Sequence, residues 1–168
     1  MDLFTSTWTN KIDKKGRVSV PASYRAAVAD EKFAGVILYP ALDEPAIDGV
    51  RESRLQRLAE TLTEKGPFDK AGRRMKREFI GSTMSLQFDG DGRVMLSDAL
   101  IAHAGLTDTA TFIGMGDMFQ IWDSKVLEEF NAADDFDVVR ESQNLQWWRD
   151  GETGSQTSPS PGPGRSGQ

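Results

Sequence analysis

The chain has 168 residues, 38% of them hydrophobic, enough for one domain of ordinary size or two small ones. Net charge is −6, yet residues 1–80 hold 15 Lys+Arg against 12 Asp+Glu while residues 81–168 hold 5 against 14, so the first half keeps the local field that a polyanion requires. The lack of cysteine excludes disulfides, thiolate catalysis and Cys-rich zinc sites, and no targeting region or membrane-length apolar run is present, so a soluble, cytoplasmic protein is expected.

Residues 3–20 read as a β-hairpin. Trp8, Asn10 and Ile12 alternate with Thr7, Thr9 and Lys11, and Val18 and Val20 alternate with Arg17 and Ser19. Between them stands Asp13-Lys14-Lys15-Gly16-Arg17, in which the Asp can accept the N–H two residues on and Gly16 can supply a positive φ. Arg17 falls close to Asp13 across the turn, where the carboxylate steadies it while the guanidinium faces outward. Pro21 marks a helix over residues 22–28, and residues 35–40 form a buried strand with Ala46-Ile47 as its short partner.

Leu55, Leu58, Ala59 and Leu62 recur at helical spacing within residues 50–62, and Gly66-Pro67 breaks that helix. Lys70, Arg73, Arg74, Lys76 and Arg77 then line a helix whose cations read as a solvated face. Residues 83–96 repeat the opening plan, with Asp89-Gly90-Asp91-Gly92-Arg93 as the second turn. Ser97 caps a helix over residues 98–104 that Gly105 ends. Residues 111–114 and 118–122 form a strand pair, and Asp123 caps a helix over residues 125–133 with Val126, Leu127 and Phe130 inward. A last helix over residues 136–148 uses Val138, Val139, Leu145, Trp147 and Trp148 as apolar material. The Pro/Gly/Ser-rich stretch from residue 150 is expected to be disordered.

Enzyme readings fail on residue inventory. His103, the one histidine, has no nucleophile motif beside it and reads as structural. Asp89-Gly90-Asp91-Gly92 resembles the start of a calcium loop, but the position that needs a bidentate Glu holds Leu100. Gly114-Met115-Gly116 lacks the third glycine of a dinucleotide site. Asp134, Asp135 and Asp137 read as an acidic break between helices. No catalytic residue, metal, cofactor or small-molecule substrate is assigned.

Two segments carry a resemblance: Asp13-Lys14-Lys15-Gly16-Arg17-Val18-Ser19-Val20-Pro21-Ala22-Ser23-Tyr24-Arg25 and Ile113-Gly114-Met115-Gly116-Asp117-Met118-Phe119-Gln120-Ile121-Trp122-Asp123. With the duplicated Asp-x-x-x-Arg turns they make residues 3–148 similar to the MraZ family of bacterial transcriptional regulators. The resemblance implies an α+β fold of two pseudo-symmetric SpoVT-AbrB-like swapped-hairpin β units, with flanking short helices around a double-psi-like β-barrel core, then a C-terminal helix. Its divisions would be residues 3–50 and 81–124 as the two units, 51–80 as linking helices, 125–149 as C-terminal helices and 150–168 as the tail. It further implies a nucleoid-associated, ring-like homo-oligomer that binds double-stranded promoter DNA at short direct repeats near the division and cell wall genes, its own included, usually to repress.

The basic residues fit that role. Lys11, Lys14, Lys15, Arg17 and Arg25 make a cationic surface on and beside the first turn, with Arg17 suited to a base edge or critical phosphate and the lysines to positioning. In the second repeat Gly90, Asp91, Ser97 and Ile101 replace Lys14, Lys15, Pro21 and Arg25. Asp89, Gly92 and Arg93, like Asp13 and Gly16, are therefore expected to serve the turn's structure. Thr5-Ser6 stands where members of the family often carry glycine. An oligomeric protein-interaction module of antitoxin type is the alternative, with the acidic, Trp-bearing segment 134–150 as its binding arm.

Overall fold

The computed structural model describes residues 2–145. They fall into two compact units that divide between Ala132 and Ala133. The first unit runs β1 (Thr7–Lys11), β2 (Arg17–Ser19), α1 (Ala22–Ala27), β3 (Gly35–Pro40), β4 (Ile47–Val50), α2 (Glu52–Glu64), α3 (Lys70–Phe79), β5 (Met84–Gln87), β6 (Arg93–Met95), α4 (Asp98–Ala104), β7 (Thr109–Gly114), β8 (Phe119–Asp123) and α5 (Ser124–Ala132). The fold is α+β, and its strands pair antiparallel throughout.

The pairing corrects the reading of residues 3–20 as a self-contained hairpin. β1 lies against β7 of the second repeat, with Trp8 opposite Phe112, and its backbone meets β2 at the isolated Ile12–Val18 bridge. β2 pairs with β6, and β5 pairs with β3. Each repeat thus lends its first two strands to the other, which is the swapped arrangement that the resemblance implies. The six-stranded order β1-β7-β8-β4-β3-β5 is spanned by the two-stranded β2–β6 ladder. The Ile12–Val18 bridge ties that ladder to one edge of the sheet, and the Asp89 N–H donated to the Arg93 carbonyl ties it to the other.

Exchange occurs because three-residue strands cannot bury their valines alone. Val18 and Val94 face inward at 1% and 2% exposure, over Leu38, Ile47, Leu96, Leu100 and Ile121. At the centre Phe4, Tyr24, Phe112 and Phe119 meet mostly edge to face, with ring centroids 5.0–6.2 Å apart. α4 forms with the expected bounds: Ser97 Oγ accepts the Leu100 N–H and Gly105 closes the helix at φ +61°. Asp123 caps α5 by accepting from Lys125 and Val126, and Val126 and Leu127 pack on the Trp122 cluster as expected, whereas Phe130, expected inward, is exposed at the surface with its ring 5.0 Å from that indole.

In the second unit the expected helix over residues 136–148 is shorter: α6 covers Val138–Ser142, capped by the Asp137 carboxylate. Phe136, Val138, Val139 and Leu145 are 48–68% exposed, so the apolar material expected to pack is open. Trp147, Trp148 and the tail from residue 150 lie outside the described residues. Among the described residues no helix is long and apolar enough to cross a membrane.

Candidate nucleic-acid interface

The first turn is held by one carboxylate. Asp13 Oδ1 accepts the Lys15 and Arg17 backbone N–H groups, each at 2.9 Å, while Oδ2 accepts Arg17 Nε–H at 2.6 Å. Gly16 sits at φ +81°, and a Cβ there would stand 3.0 Å from the Leu96 carbonyl oxygen, so glycine is needed for both conformation and space. The Arg17 backbone N–H, above all, holds the Asp13 carboxyl below its ordinary value.

The second turn repeats this frame. Asp89 Oδ1 accepts from Asp91 and Arg93 N–H at 2.9 Å, and Oδ2 accepts from Arg93 Nε at 3.0 Å. Asp89 is likewise lowered, chiefly by the Arg93 backbone N–H. The difference lies in charge. Arg93 also donates to Asp91 Oδ2 at 3.2 Å, so two carboxylates hold it, whereas one holds Arg17. Lys14 and Lys15, beside Arg17, are exposed and form no ion pair among the described residues.

The β2–β6 ladder fixes how the turns stand to each other. Arg17 pairs with Met95 and Ser19 with Arg93, so with Val18 and Val94 inward all four occupy the outer face. Arg17 and Arg93 are diagonal neighbours on that face, about 7–8 Å apart for such a pair. Each turn also receives a bond from the other repeat: Leu96 N–H donates to the Gly16 carbonyl and Val20 N–H to the Gly92 carbonyl. Asn10 Nδ2 donates to the Ser19 carbonyl at 2.8 Å and braces the ladder from β1. That brace had no sequence signal, since it depends on a fold in which β1 and β2 part company.

Lys11, Lys14, Lys15 and Arg17 stay together in sequence around the first turn, Lys11 exposed at the end of β1. Arg25 does not join them. Its Nε donates to the Val20 carbonyl at 3.2 Å, and its guanidinium lies over the second turn, where a Cβ on Gly92 would come within 2.6 Å of Arg25 Cζ. At the first turn the equivalent place is filled by Ile101, whose Cδ1 lies 3.1 Å from a Cβ built on Gly16. Swapping the strands carries α1 to the opposite turn, which reading the chain locally misses. His103 Nε2 lies 3.1 Å from the Glu44 carbonyl oxygen, a contact that ties α4 to the loop before β4.

The chain is similar to known proteins. Residues 3–39 and 79–145 match the family described as "MraZ protein, putative antitoxin-like". A protein of Pelagibacter ubique named "Transcriptional regulator MraZ" is 37% identical over 147 residues, covering 86% of this chain and 94% of its own length. Proteins of the same name from Rickettsia canadensis and Rickettsia akari are 37% and 38% identical, covering 79% and 77% of this chain and 90% and 87% of theirs.

Proposed function

The chain belongs to the MraZ family, and on that premise we propose that it is a DNA-binding transcriptional regulator that represses the division and cell wall gene cluster, its own gene included. Binding is to short direct repeats, through the first turn. The name of its relatives, transcriptional regulator, supports the regulatory role.

One observation favours the first turn: the two arginines share a frame and a face, but Arg17 stands beside the unpaired Lys14 and Lys15, whereas Arg93 is held by a second carboxylate, Asp91, within its own turn. Its Nε is spent on Asp13, which fixes the plane of the guanidinium and leaves the Nη donors for a guanine edge or a phosphate. Lys11, Lys14 and Lys15 then set register on the backbone. Asp91 gives Arg93 a second carboxylate, which both occupies it and repels phosphate. Arg25 is reassigned with it, as a support or phosphate contact of the second turn. Several such readers in a ring-like homo-oligomer bind spaced repeats by avidity, as suits a cytoplasmic, nucleoid-associated protein.

Fluorescence anisotropy on DNA upstream of the protein's own operon tests this. Wild type and Arg93→Ala should bind it specifically, Arg17→Ala should lose nearly all binding, and affinity should fall steeply as salt rises. No preference over random duplex by wild type would sink the regulator reading. Equal loss from both arginine variants, with assembly intact, would restore the second turn to the interface.

A further inference from the structure

Helices α2 and α3 wall a groove of about 620 Å³ on the face of β3 that carries Tyr39, opposite the core. Tyr39 and Phe79 meet edge to face at 5.9 Å beside it, and Leu55, Leu58 and Met75 line it, Met75 with 38% of its surface open. The flanking surface is basic: residues 51–79 hold nine Lys+Arg against five Asp+Glu. Arg54 pairs with Asp117 and Arg74 with Glu78, while Arg57, Lys70, Arg73 and Lys76 form no ion pair among the described residues.

Residues 134–145 have the opposite character. Asp134, Asp135, Asp137 and Glu141 face a lone Arg140, and Phe136, Val138, Val139 and Leu145 are exposed. Within it the helix α6 covers Val138–Ser142. The match is one of charge and apolar content together, the pattern of an amphipathic segment laid in a groove. Residues 40–78, which include most of the groove's walls, fall outside the family match.

We propose that residues 134–145 of one copy dock in the α2–α3 groove of a second copy. The inference rests on the homo-oligomer reading above and gives that assembly its joint. Groove and segment are different surfaces, so the contact is head to tail and propagates around a ring or along a filament.

The absence of native cysteine makes the test direct. Leu58→Cys and Val139→Cys are placed on separate, differently tagged chains, co-refolded and treated with a short thiol-specific cross-linker. Linkage between the two tags is expected. Val139→Asp should lower the assembly mass in light scattering with an unchanged far-UV spectrum, because Val139 is already exposed. Its affinity for a promoter with several repeats should fall about tenfold or more through lost avidity, while a single repeat is bound as before. Absent linkage between the two tags, or wild-type mass for Val139→Asp, would overturn the docking and leave the DNA-binding reading standing. A monomeric wild type would remove both the assembly and its joint. Loss of DNA binding by Arg17→Ala at unchanged mass would separate the two functions.

Discussion

Ser6 adopts φ +69°, the one non-glycine residue in the left-handed region among the described residues. Its carbonyl accepts Tyr24 Oη–H at 2.7 Å and Gly114 N–H at 3.0 Å, so the core enforces the conformation. Glycine there would relieve about 1–2 kcal/mol of steric cost and give back part of it as chain entropy. Ser6→Gly should raise unfolding stability by about 0.5–1 kcal/mol in urea titration; an unchanged or lower midpoint would show that serine is unstrained. The turns were legible at this scale because Asp, Gly and Arg act within five residues of one another. Arg25 was misplaced because its partner, Gly92, is 67 residues away and on the other repeat.

Elements were legible where their signals are local. Ser97 and Gly105 bound α4 by side-chain capping and a left-handed close, and both are visible in sequence. Strand partners were not, since alternation assigns a face but says nothing of which neighbour shares it. The β4–β8 pair shows what fixes such a choice. Gly49 lies opposite Phe119, whose ring covers it so closely that a methyl group would overlap the ring. Gly49→Ala should therefore push Phe119 out of the aromatic cluster and cost about 2 kcal/mol, read as a lowered denaturant midpoint and a reduced near-UV signal. Retention of both would mean that β4 can shift without disturbing the core.

At the scale of the molecule, the exchange makes the repeats interdependent. A fragment of residues 1–80 retains β1, β2 and β3 but loses β7, β6 and β5, the strands that pair with them. It should yield no folded monomer: circular dichroism and light scattering should find it either unfolded or as a dimer in which a second copy supplies the missing strands. A folded monomeric fragment would show that the exchanged strands are dispensable. Two identical chains could build the same barrel, but on dilution they would separate. With the halves covalently joined, each is present to the other at a constant effective concentration, whatever the number of molecules in the cell. The β2–β6 ladder, with both of its turns, is therefore complete within a single chain at any concentration. Joining also ended the obligation to be identical: one turn could accumulate lysines and its twin aspartates, a division of labour closed to a symmetric pair of chains.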